Sequence, residues 1–176
     1  MSERGIIMIY SNAIVNENLD TIVDVISDYE NRHKWDANFS DGGLLKSVDK
    51  DSQLHYIKTV RQAVISCRDQ NLLINRKIIE AKDSQTGNKI FILGARSQDL
   101  EQFPEKKGIV RASCYITGYY IEQISPDQCH VHFIIETDYK IPQRLHQAFG
   151  VNGANYAYEI KKYVEKEKKK RASSKA

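Results

Sequence analysis

A chain of 176 residues is long enough for one domain with a single core, burying roughly 70% of its unfolded surface on folding. Apolar residues make up 41% and charged residues 28%, both ordinary for a globular protein. The net charge of +3 is unevenly placed: residues 161–176 hold eight Lys or Arg against Glu165 and Glu167, leaving the rest of the chain negative and excluding the evenly basic face of a nucleic-acid binder.

Residues 5–15, rich in Ile, Val and Tyr, read as a strand. Its start, Ile6-Ile7-Met8-Ile9-Tyr10, is too short and too acid-flanked for a signal peptide. From Asn18 the spacing changes, and Leu19, Ile22, Val23 and Ile26 fall on one face of a helix ending near Tyr29. Glu30–Phe39 is polar around a lone Trp35 and reads as a short second helix or a loop. Asp41-Gly42-Gly43 has turn composition, after which Leu44–Val48 and Leu54–Val60 form a hairpin around Asp49-Lys50-Asp51. Asn71–Ala81 and Lys89–Ser97 make the next hairpin, with Ser84–Asn88 as its turn.

Gln98–Gly108 is a charged connection containing Pro104. A long strand, Val110–Ile124, follows, and Ser125-Pro126-Asp127 turns it back into Cys129–Tyr139. There Val131, Phe133 and Ile135 alternate with His130, His132 and Glu136, the pattern of a sheet with one buried and one wet face. By the same alternation Ser113, Tyr115 and Thr117 are expected on the inner face. Pro142 suits the first position of a helix. Leu145, Phe149, Tyr156, Ile160 and Tyr163 then form one apolar stripe, in which Gly150 and Gly153 each cost about 1 kcal/mol of helix stability. No run of about 18 apolar residues exists to span a membrane as a helix.

The chemistry-bearing residues favour structural roles. Cys67, Cys114 and Cys129 form no C-x-x-C pair and read as small apolar residues in a reducing compartment. His130 and His132 share a strand face and lack a third ligand, so the wet surface is the expected place for them and no metal site is expected. Arg68-Asp69 reads as a structural ion pair rather than an acid–base dyad. The chain holds no G-x-S-x-G elbow, Walker A sequence or G-x-G-x-x-G fingerprint.

Five segments carry a resemblance: Asp28–Asp36 (DYENRHKWD), Ser66–Asp69, Phe103–Ala112, Gly118-Tyr119 and Ile141-Pro142. In this order and spacing, from about Ile9 to Val164, they resemble the START (steroidogenic-acute-regulatory-related lipid transfer) family. The resemblance implies an α+β helix-grip fold, a curved antiparallel sheet of about seven strands wrapped round a long C-terminal helix, without the helix and strand that usually open the family's domain. The domain is expected to span residues 1–165, with residues 166–176 as a basic polar tail.

The resemblance further implies a carrier rather than an enzyme, one that holds a single lipid in an internal tunnel without a cofactor and moves it between membranes as a cytoplasmic monomer. A lipid-sensing module and, less favoured, a small-molecule enzyme on the same fold are the alternatives. Arg32 and Asp36 stand where a phosphatidylcholine-carrying member of the family holds its lipid phosphate, with Tyr115 beside the headgroup. Arg32 and Asp36 are also an ordinary i,i+4 helical pair. The other headgroup aromatics of that member correspond to Ile57 and Gln70, which cannot cage a choline, and the buried acid–base pair of the sterol-binding branch falls near Thr59 and Ile74. The implied tunnel wall comprises Ile57, Ser113, Thr117, Val131, Phe133, Ile135, Leu145, Phe149 and Tyr156. The implied gate comprises Ala63, Val64 and Ile65 with Ile141 and Pro142, the first three reading equally well as a buried strand end. The ligand class stays open between phospholipid, sterol and ceramide-like lipid, and the partner is a transient membrane surface. Lys166, Lys168, Lys169, Lys170 and Arg171 are placed either to meet an anionic membrane or to solvate a helix end.

Overall fold

The strands build one open sheet, and a computed structural model of the chain describes residues 6–61, 65–80, 88–142 and 155–174. In chain order its elements are β1 (Ile7–Val15), α1 (Leu19–Ser27), a single 3-10 turn (Arg32–Lys34), β2 (Phe39–Ser47), β3 (Ser52–Thr59), β4 (Arg68–Glu80), β5 (Lys89–Ser97), β6 (Val110–Arg111), β7 (Ser113–Ser125), β8 (Gln128–Asp138) and α2 (Tyr156–Ser173). Seven strands run in the order β1-β8-β7-β5-β4-β3-β2, every pairing antiparallel, and short β6 lies parallel to the start of β4.

Local chemistry explains the boundaries. The Asn18 side chain caps α1 by accepting the Thr21 N–H at 2.8 Å, satisfying a donor that the first turn leaves unpaired. Leu19, Ile22 and Ile26 carry the buried stripe of that helix. In β8 every second residue from Cys129 to Thr137 is buried, with Val131, Phe133 and Ile135 inward and His130, His132 and Glu136 outward. α2 presses Ala157, Ile160 and Val164 against the sheet and continues through the basic residues to Ser173, so most of the expected tail is the last turns of this helix. Among the described residues no helix is long and apolar enough to cross a membrane.

Three expectations need correction. Asp41-Gly42-Gly43 is not a turn but the middle of β2. A Cβ on Gly42 would lie 2.6 Å from the Tyr56 carbonyl oxygen and 2.9 Å from the Phe39 ring, so the glycine serves close packing. The long strand expected from Val110 is broken at Ala112 into β6 and β7, because β6 leaves the antiparallel ladder to pair with β4. Ser113 and Tyr115 do not share the inner face with Thr117. The β7–β8 register slips between Cys114 and Ile116, and this bulge turns Tyr115 outward, 43% exposed. Residues 84–87 of the expected Ser84–Asn88 turn, and the stripe residues Leu145 and Phe149, lie outside the described residues.

Candidate functional site

The sheet's inner face meets a cover made of Tyr29, the 3-10 turn and the start of α2, and a cavity of about 60 Å³ remains between them. Its floor comes from alternate residues of the central strands: Gln70, Leu72 and Ile74 of β4, Leu93 and Ala95 of β5, Thr117 and Tyr119 of β7, and Phe133 and Ile135 of β8. Ile57, Thr59, Phe39 and Asn38 close one side, with Tyr139 and Tyr156 completing the wall. Asp36, Asn38 and Tyr156 also border an outer vestibule of about 330 Å³ beside the start of α2.

At its centre is Arg32. The turn that carries it is held by Trp35 and Asp36 N–H bonds back to the Arg32 carbonyl, at 3.1 and 2.9 Å. The guanidinium donates through Nε to Asp36 Oδ2 at 2.8 Å, with side chains only 12% and 3% exposed. Asp36 in turn accepts the Asn38 N–H at 3.0 Å, which fixes the carboxylate. The Arg32 carbon Cζ also lies 5.7, 5.1 and 5.6 Å from the ring centres of Tyr29, Trp35 and Phe39, a three-sided aromatic cage. Burial is the largest influence and works against the charged guanidinium, but the Asp36 carboxylate together with Tyr119, Tyr29 and Tyr156 outweighs it and raises the pKa above the ordinary value. Neither Nη donates to a described residue, so among these residues most of a five-donor fork has no partner beside the cavity.

Phenols surround this pair. Burial pushes Tyr29, Tyr119, Tyr139 and Tyr156 above the ordinary phenol range, so all four are neutral donors at physiological pH. The buried Tyr119 hydroxyl has no hydrogen-bond partner among the described residues. The Gln70 carboxamide, in a residue 9% exposed, also makes no hydrogen bond there.

Of the residues expected at the site, Arg32, Asp36, Ile57, Thr117, Phe133, Ile135 and Tyr156 meet around this cavity. Val131 faces inward but belongs to the solid core, with no exposed surface. Ser113 and Tyr115 border a separate depression with Arg96 and Asp99, away from the headgroup position expected of Tyr115. Ile65 packs against the core, Ile141 is buried and Pro142 is exposed; Ala63, Val64, Leu145 and Phe149 lie outside the described residues. Sequence reading missed Tyr29, Phe39, Tyr119 and Tyr139 as cavity residues. Starting β4 at Arg68 instead of Asn71 would have placed Gln70, Leu72 and Ile74 on one face, and counting β7 back from buried Ile121 would have found Tyr119.

Other charged and titratable groups serve the frame. Asp69 pairs with Arg111 rather than with its neighbour Arg68, at 2.7 and 3.2 Å, and Arg111 also donates to the Phe103 and Pro104 carbonyls. Arg68 donates to the carbonyls of Ser66, Tyr139 and Lys140 at 2.6, 2.9 and 3.2 Å, tying the start of β4 to the end of β8. On the outer face His132 Nδ1 lies 2.7 Å from the Tyr10 hydroxyl and His130 Nε2 lies 3.1 Å from Asn12 Oδ1. All three cysteines are free, and burial raises the Cys114 and Cys129 thiols to about 11, leaving them inert.

Comparison with known proteins bears on this arrangement. The START domain family model matches residues 3–170. START domain-containing protein 10 of mouse and of human is 26% identical over 121 residues, 69% of this chain and 39% of each relative, so the chain spans well under half the length of the curated relatives it matches. Among solved structures, human STARD10 superposes with a TM-score of 0.75 at 20% identity, covering 92% of this chain and 64% of that one. Human StAR-related lipid transfer protein 5 gives a TM-score of 0.74 at 22% identity, covering 88% and 74%. The lipid transfer and protein localization domain of human StarD13 gives 0.71 at 20%, covering 86% and 74%.

Proposed function

The chain belongs to the START domain family, and we propose that it is a non-enzymatic carrier, holding one phospholipid in the cavity above its sheet and moving it between membranes. The observation that carries this reading is Arg32: a guanidinium anchored by one carboxylate, caged by three rings, with its Nη groups meeting no partner among the described residues beside the cavity. Such a fork matches the oxygens of a phosphate, and Asp36 behind it fixes the fork and offsets its burial. The apolar floor of Leu72, Ile74, Leu93, Phe133 and Ile135 suits acyl chains.

Energetically the exchange is close to neutral. A bilayer holds a lipid tail by about 0.8 kcal/mol per CH₂, and an apolar cavity returns a similar amount. The protein's contribution is to remove the aqueous barrier. At about 60 Å³ the cavity is far smaller than a phospholipid, so loading requires the cover to part from the sheet. The vestibule beside Tyr156 is the natural route. The basic turns of α2 serve as an auxiliary contact with anionic membranes; Lys166 begins about 15 Å along the helix from Tyr156, so they meet the bilayer away from the cavity.

Transfer of labelled phospholipid between two vesicle populations tests the reading. The full chain should accelerate transfer and retain one lipid per molecule by mass spectrometry, and Arg32→Ala should weaken phospholipid binding. Absence of both transfer and bound lipid would overturn the carrier reading.

A further inference from the structure

If the cavity holds a phospholipid, as proposed above, its chemistry also selects the headgroup: we propose that it takes a zwitterionic headgroup with N–H donors, an ethanolamine type, over trimethylammonium or net-anionic headgroups, and that Gln70 makes the selection. The first argument is charge. Among the described residues lining the cavity, Arg32 and Asp36 are the charged ones, and they neutralise each other. A net-anionic headgroup would bring an uncompensated charge into an enclosed site, whereas a zwitterion adds none.

The second argument concerns the rings. A quaternary ammonium is recognised by aromatic faces, because it has no N–H to donate. Here the faces of Tyr29, Trp35 and Phe39 are occupied by the protein's own Arg32. Phe133 lies against Tyr119 and Tyr156, with ring centres 5.0 and 4.7 Å apart. These rings are already engaged.

The third argument is the unmet hydrogen-bonding capacity. Gln70 projects from β4 opposite Ile57 on β3, is 91% buried, and its carboxamide reaches no described partner. The Gln70 Oε1 is the acceptor that a primary ammonium requires, while the unpartnered Tyr119 hydroxyl supplies a further donor for phosphate or ester oxygens. A trimethylammonium group in the same place would leave the Gln70 carbonyl buried and unpaired, the costly arrangement for a polar group.

Vesicles containing equimolar phosphatidylethanolamine, phosphatidylcholine and phosphatidylglycerol with identical acyl chains provide the probe. The full chain is incubated with them and re-isolated, and its bound lipid is counted by mass spectrometry. The wild type should capture the ethanolamine lipid about tenfold over the choline lipid, the size expected of one buried hydrogen bond to a charged group. Gln70→Met keeps the side chain's length and removes its carbonyl, and should bring that ratio to within about twofold; Gln70→Leu should do the same. Because the ratio is read within one preparation, a partial loss of folded protein does not alter it. Equal or preferential capture of the choline or glycerol lipid, or a ratio unmoved in both variants, overturns the headgroup selection while leaving the carrier reading intact. Capture of no phospholipid overturns both.

Discussion

Two buried arginine–carboxylate pairs differ in one respect. Arg111 gives Asp69 two hydrogen bonds and spends its remaining reach on the Phe103 and Pro104 carbonyls, so the pair is saturated. Arg32 gives Asp36 one bond and leaves both Nη groups without a described partner, facing a cavity. The saturated pair pins the 98–109 connection and β6 to β4, helped by Asn71 donating to Phe103 at 3.2 Å. A buried ion pair acts as a structural tie when its donors are used up, and as a binding group when they are not.

The largest expected effect falls on the saturated pair. Asp69→Ala leaves Arg111 buried without its counter-charge and should cost about 3–5 kcal/mol of unfolding free energy in denaturant titrations. A loss under about 1 kcal/mol would break the distinction. Arg32→Met combined with Asp36→Asn removes the other pair without stranding a charge. Phospholipid binding should fall by roughly 2–5 kcal/mol, with stability changed by less than that. Equal loss of stability in both cases would mean that Arg32 is only another tie.

The pH response sharpens the contrast. His55 stacks on Tyr29, one wall of the Arg32 cage, at 4.3 Å between ring centres. Burial, reinforced by Arg76, lowers its pKa to about 4. Between about 6.5 and 4 the unfolded chain binds this proton and the folded chain does not, so stability falls as pH drops through that window. The expected decline is roughly 2–3 kcal/mol and should vanish in His55→Phe, measured by denaturation at pH 7 and pH 4.5. Arg68, whose donors are spent on three carbonyls, belongs with the ties; Arg68→Met should cost roughly 1–3 kcal/mol and speed hydrogen exchange at Lys140 and Ile141. The smallest effect is at the helix end. Lys166, Lys169 and Lys170 changed together to Gln should lower binding to anionic vesicles several-fold while leaving the thermal midpoint unchanged.

Much of this architecture is written in local pattern. The period of two along β8, the Asn18 cap with its 3.6-residue stripe, and the Asp49-Lys50-Asp51 hairpin each depend on neighbours a few residues apart, which a linear reading captures. The spacing of Arg32 and Asp36 also shows that the two side chains meet. What it cannot show is whether they meet in water or in an enclosure, since that depends on Phe39, Tyr119 and Tyr156 arriving from distant elements. The same holds for Asp69, whose partner is 42 residues away rather than adjacent. It holds equally for Gly42 in mid-strand, and for the bulge that turns Tyr115 out of the site. Sequence pattern determined the elements and their faces because those are short-range preferences; burial, charge pairing and register were decided by tertiary structure, because each is a property of two segments brought together.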